Sequence, residues 1–427
     1  MNSRQDSDIA TLRSRRERRS MRRVVIPALA VALISGATAG ARPAAASAPD
    51  AVSWGPVHHL WAGGPQNSSA VTTDSGMVVA AWNGPHFGKL WVAVRLPGQG
   101  WSQPVNVGVD SASLSLVKDG LNAWVTWQNF DSVNALEVTA DGAVGSPVTV
   151  GPSSDGFYFG PVIATGKDGA VAAAWLQDRT VRVAYRTPAG TWLDSEVAPA
   201  TGYIAGLVVG ASGEVELVTE SEGVLSYLRR SPDGTWGAPR VLSDRSLYPA
   251  VAGDRSGDLV VGWEVDNGDG TYSLEARYRG AAKGFGPMHT IAESVADVTY
   301  VRMAMAANGA AVATYAPFSE SLIRVTTTDV SGDWLGSQRL QMTATSYGVT
   351  TNAAGRFVVW AETGSGLQTA RCDEVAMCSD VNTDPATSRE QEISTSLGPG
   401  DAINLVWVVG CKGEDCKPTR ILAQRGH

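Results

Sequence analysis

The chain has 427 residues, 44% of them hydrophobic, with 34 Lys and Arg against 42 Asp and Glu and a formal net charge of −8. An acidic balance disfavours nucleic acid and anionic membrane surfaces as partners, because both are themselves negatively charged. Fourteen Trp against seven Phe is an unusual weight of indole, suited to filling wide gaps between sheets.

Residues 1–48 read as a secretory signal peptide. Arg13, Arg15, Arg16, Arg18, Arg19, Arg22 and Arg23 precede the apolar run V-V-I-P-A-L-A-V-A-L-I-S-G, and Ala46-Ser47-Ala48 supplies small residues for cleavage. Met21 is an alternative start, and Arg22-Arg23 leaves the Sec and twin-arginine routes both open. The competing reading is an uncleaved anchor, against which Pro27, Gly36 and Gly40 count. Removing nine Arg and three acidic residues leaves 25 basic and 39 acidic, a net of −14. Residues 49–427 are expected to form a single domain, secreted and monomeric, with no membrane contact after cleavage.

The mature segment opens on S-Trp54-G-P-V-H-H-L and then repeats one unit. An apolar run ends in an aromatic at Trp82, Trp127, Trp175, Trp263, Tyr315, Trp360 and Trp407, with Thr219 at the matching place between Trp175 and Trp263. The steps are 44 to 48 residues, with one of 52. A second landmark keeps pace: Arg95 precedes Trp101 by six positions, Arg186 precedes Trp192, Arg230 precedes Trp236 and Arg279 precedes Phe285. Gly with Asn or Asp between the runs supplies the positive φ of tight hairpins. Short runs without a 3.6-residue period predict an all-β chain, and four strands per ~45-residue repeat predict a β-propeller.

Eight blades are expected. Seven remain open if the poorly matched stretch from Thr363 to Glu392 is irregular. There, Met377 follows Arg371 by six positions in place of an aromatic. The last repeat stops two residues after Arg425, without an aromatic or a fourth strand, and the Trp54 segment matches the missing piece. The N-terminal strand is therefore expected to close the ring, which removes exposed sheet edges. The four Cys form two close pairs, Cys372 with Cys378 and Cys411 with Cys416, read as disulfides in an exported chain. Zinc is the alternative, but the two-residue ligand spacing and a nearby His are missing.

A repeated Arg beside an aromatic can bind a sugar or carboxylate at each blade, or simply stack guanidinium on ring across the hairpin. Its presence in most blades makes it a building rule. The candidate ligand face lies elsewhere. Tyr158, Tyr203, Tyr248, Tyr300 and Tyr347 each stand at the start of a blade's first strand. The loops between second and third strands, on the same face, carry Asp178, Glu220, Glu264, Asp266 and Glu362. Aromatic faces with carboxylate acceptors suit sugar, or a cationic partner. Asp266-Asn267-Gly268-Asp269-Gly270 has the look of a calcium loop without its alternate spacing or distal Glu, and reads as a hairpin. The five His form no cluster, and no esterase, zinc-protease, P-loop or dinucleotide motif occurs. Neither a catalytic residue nor a metal or other cofactor is expected.

Ser231-Pro232-Asp233-Gly234-Thr235-Trp236 resembles the Asp-box turn of sialidase-like propellers, at the same place in the blade. It is two residues shorter, it occurs once, and the F/Y-R-I-P arginine motif is absent. The third strands around Arg182 and Arg324 are similar to those of fucose-binding propeller lectins, without the full Arg, Glu and Trp set per site. These resemblances imply a binding propeller for an extracellular glycan or an exported protein. A sialidase-like hydrolase or lyase and an envelope scaffold are the alternatives.

Overall fold

The computed structural model describes residues 53–426 apart from 63–64, 66, 85–87, 111–112, 154–159, 297–299, 318–321, 343–345, 364–365, 374–376, 380, 385–389 and 410–419. Residues 47–427 form one compact unit. The described residues make eight four-stranded antiparallel sheets. Their inner strands are Ser68–Thr72, Ser113–Asp119, Val162–Thr165, Tyr203–Val209, Leu247–Gly253, Arg302–Met305, Ser346–Thr351 and Glu390–Leu397, for blades 1 to 8. Each inner strand touches the next, and that of blade 8 touches that of blade 1, so the sheets close into an eight-bladed β-propeller.

The second strand of each blade is apolar without alternation because both of its faces are covered by neighbouring sheets. Val78–Asn83 is buried throughout, and Trp82, Trp127, Trp175 and Trp263 have no exposed surface. Tyr315, Trp407 and Thr219 are also buried, while Trp360 is partly so. There is no central core. The buried apolar residues fall into eight clusters, one in each seam between adjacent blades.

Blade 8 is split as expected. His58–Trp61 is its outer strand and pairs with Arg420–Gly426. Gly55 N–H donates to the Arg425 carbonyl at 2.8 Å, and Gln424 Nε2 to the Gly55 carbonyl at 2.7 Å. Trp61 then packs against Trp82 and Trp91 of blade 1, with ring centroids at 6.3 and 5.7 Å. Blade 7 is a regular sheet, with Gly366–Cys372 paired to Asn382–Asp384.

The six-residue hairpin recurs in blades 1 to 7, and blade 8 makes the same pairing between its two separate parts. Arg95 faces Trp101, Arg186 faces Trp192, Arg230 faces Trp236 and Arg279 faces Phe285. In blade 2 the pair is Val138 and Val144, and in blade 6 Thr328 and Trp334. In blade 7 it is Cys372 and Cys378, joined by the expected disulfide, and Arg371 and Met377 lie one place back. In blade 8 it is Gly426 and Trp54, so the expected Arg425 stands one place short. In both cases the neighbouring Arg sits one residue out of the pairing register, where alternation turns it to the other face of the strand. Cys411 and Cys416 lie outside the described residues.

The expected stacking of guanidinium on ring across the hairpin holds for Arg95 over Trp101, at 5.4 Å. Elsewhere the Arg reaches back to the preceding blade. Arg186 lies over Trp124, Arg230 over Tyr185 and Arg279 over Tyr227, at 4.8, 5.1 and 5.7 Å. Trp192 and Phe285 meet the same Trp124 and Tyr227 rings edge-on. Each Arg also meets an oxygen acceptor there: Asn404 for Arg95, Glu137 for Arg186, Glu196 for Arg230 and Glu216 for Arg279. Arg230 and Arg279 are buried by this. The hairpin is therefore an inter-blade clasp, formed where a planar guanidinium both stacks and pairs.

Candidate functional site

The ring has two faces. Inner strands begin, and second strands end, on one of them. That face gathers the tyrosines and carboxylates. Tyr203 stands opposite Glu220, Leu247 opposite Glu264, and Ser346 opposite Glu362 in strand register. Burial first, and then a hydrogen bond to Glu220, pushes the Tyr203 phenol above its ordinary value. Tyr248 and Tyr300 are in contact, with ring centroids 4.6 Å apart and planes at 58°. Tyr347 donates from its hydroxyl to the Tyr300 carbonyl at 2.7 Å and accepts from Ala316 N–H at 3.2 Å. Tyr203, Tyr248, Tyr300 and Tyr347 thus form an arc across blades 4 to 7. Tyr158 lies outside the described residues.

Two members of the arc carry an unusual backbone. Tyr248 and Tyr300 adopt φ of 47° and 45°, a left-handed conformation that a bulky side chain resists. They remain 47% and 37% exposed, so the strain is not compensated by burying the rings. Glu264 is wholly buried, and burial first, with Glu264 among the lesser causes, raises the phenols of Tyr248 and Tyr347. Burial raises the Glu362 carboxyl above its ordinary value.

The other two carboxylates do not join this group. Asp178 occupies a hairpin tip with Arg179, both at positive φ, as a two-residue turn requires. Asp266 is exposed and accepts from Gly268 N–H at 2.7 Å, which closes its own turn. Among the described residues no group of three or more His, Cys, Asp or Glu could hold a metal ion, and no helix is long and apolar enough to cross a membrane.

The opposite face carries the turns between first and second strands, together with the hairpin clasps. One residue there had no sequence signal beyond its place in the D-R-S-G turn of blade 5. Arg255 passes over the ring axis, past blade 4, to blades 3 and 2. Its Nη2 meets Asp119 Oδ1 at 2.6 Å and the Gly166 carbonyl at 2.7 Å, and its Nε meets that carbonyl at 3.1 Å. Burial raises the Asp119 carboxyl while Arg255 pulls it down. Lys118 pairs with Asp74 at 3.1 Å, tying blade 2 to blade 1.

No protein-family model matches the chain, and no curated protein matches it. Solved propellers do. The chain is similar to virginiamycin B lyase from Staphylococcus aureus at 10% identity, covering 88% of this chain and 100% of that one, with a TM-score of 0.47. A polysaccharide lyase matches at 9% identity, over 85% and 99% of the two chains, with a TM-score of 0.47. The NanB sialidase from Streptococcus pneumoniae matches at 11%, over 87% and 70%, with a TM-score of 0.40. The likeness is one of propeller architecture.

Proposed function

We propose that the chain is an exported binding propeller whose tyrosine face takes an extracellular glycan without transforming it. The observation that carries this reading is the exposed Tyr248–Tyr300 pair, held in left-handed backbone beside the buried Glu264. Strain kept at exposed aromatic residues supports a reading in which those rings are used. The apolar faces of a pyranose stack on such rings, and Glu220 and Glu362 at the strand ends are acceptors for its hydroxyls. The Cys372–Cys378 disulfide agrees with an oxidising compartment, as the Arg-rich leader does.

The test is a glycan array probed with purified residues 49–427, run beside reporter glycosides. Retention of a glycan, weakened at least ~10-fold in Tyr248→Ala and in Tyr300→Ala, is the expected result, 1.4 kcal/mol or more of lost stacking. Silence on the array would overturn the reading, and turnover of a glycoside would replace it with the hydrolase or lyase. Export is checked by N-terminal sequencing of the protein recovered from culture medium, with a start after Ala48 expected.

A further inference from the structure

The face opposite the tyrosine arc holds a cavity of about 370 Å³ to which blades 1 to 7 all contribute residues, which places it on the ring axis. Its walls are Val117, Ile163, Leu207, Val209 and Met305, all on inner strands. Its mouth carries Lys118, Lys167 and Arg255 beside the carboxylates of Asp74 and Asp254. Apolar walls with a few convergent polar groups are the usual make-up of a small-molecule site.

The charges at the mouth are unequally satisfied. Asp119 is held by Arg255 at 2.6 Å and Asp74 by Lys118 at 3.1 Å. Asp254 accepts from Ser256 N–H and Asp258 N–H at 2.8 and 2.9 Å, within its own turn. Asp74 and Asp119 are thus each paired with a cation, while Asp254 is held by backbone N–H groups. The Lys167 ammonium and Arg255 Nη1 have no acceptor among the described residues. Lys167 is exposed, whereas Arg255 is pinned over the axis by carbonyls of blade 3. A cationic head group would be repelled by these two donors. An anionic one would complete them.

We propose that this axial cavity is a second binding site, for a small amphiphile with an anionic head, a medium-chain carboxylate, seated tail-inward beneath Arg255. The site does not depend on the tyrosine face and stands whether or not a glycan binds there.

Titration calorimetry on residues 49–427 with decanoate, decanol and decyltrimethylammonium tests it. Saturable one-to-one binding of decanoate, at least ~10-fold tighter than either of the others, is expected. Ala307 lines the same cavity and is exposed, so Ala307→Trp blocks the mouth without disturbing a packed seam. That variant should abolish decanoate binding, and Lys167→Glu should weaken it several-fold, while glycan retention on the tyrosine face is unchanged in both. Absence of saturable decanoate binding overturns the proposal. So does equal binding of the cationic analogue, or binding that survives Ala307→Trp.

Discussion

Between blades 4 and 5, Arg279 reaches back to the buried Glu216 at 2.6 Å and lies over Tyr227, while Phe285 meets that ring edge-on. Between blades 5 and 6 the same hairpin position is Thr328, and no guanidinium reaches back. Tyr278 is the buried ring of this seam, and the backbone at Gly332 lies against it, where a Cβ would collide with the ring. The buried apolar residues of this seam are Val260, Tyr278, Met305 and Ala311, and beside them opens a cavity of about 360 Å³. The Tyr278 hydroxyl donates to the Gly309 carbonyl at 3.1 Å, and His289 stacks on Trp334 at the rim. Seams in a ring of repeats are nearly independent, so their strengths are set locally. Of these two seams, the one with the hairpin Arg is closed by a stacked, paired cation and the other is left partly open.

The comparison breaks most visibly at Arg279. Replacing it with Ala leaves Glu216 buried without its cation, and a loss of about 3–5 kcal/mol in urea unfolding is expected. The double change Arg279→Met with Glu216→Gln should recover most of that loss, because it removes both charges. If Arg279→Ala costs no more than a change at the rim of the next seam, the clasp is not what closes the ring.

A pH series sharpens the same contrast. Burial outweighs Arg279 and pushes the Glu216 carboxyl up to about 7. A carboxyl raised on folding favours the folded state below its unfolded value and loses that contribution as pH rises toward 7. The stability of Glu216→Gln relative to the parent should therefore grow between pH ~4.5 and ~7, by no more than about 3 kcal/mol, and stay level above. A gap that stays constant across this window would mean that Glu216 is ionised throughout.

Smaller effects belong to the other seams. Reducing Cys372–Cys378, which closes a six-residue separation, should cost about 2 kcal/mol, read as a fall in Tm with dithiothreitol. His289→Ala removes only an exposed stack at the thin seam and should cost less than about 1 kcal/mol by the same measurement.

Much of this was legible in the chain itself. The spacing of Trp82, Trp127 and Trp175 and the Gly-rich hairpins announced eight sheets, and the Trp54 segment announced the closure. Hairpin register is local, so a six-residue offset can be read directly. Which ring an Arg meets depends on the rotation between blades, and no local spacing encodes that. Arg186 was therefore expected on Trp192 and is found on Trp124. At Cys372 the pairing slipped by one residue from the expected Arg371, since the repeat there lacks its aromatic marker. Arg255 was invisible because Asp119, its partner, is 136 residues away and outside the period. The tyrosine arc lay between these cases: its positions follow from the repeat, but the left-handed backbone at Tyr248 and Tyr300 does not.

The split blade also has a consequence in time. His58 pairs with Ala423, so a contact spanning nearly the whole propeller must form before blade 8 is complete. Contacts of such separation are slow, because the intervening chain must be ordered before they are rewarded. Seven blades can assemble as they emerge, each on its predecessor. The eighth needs both of its parts, so closure of the ring depends on the pairing of greatest sequence separation in the fold.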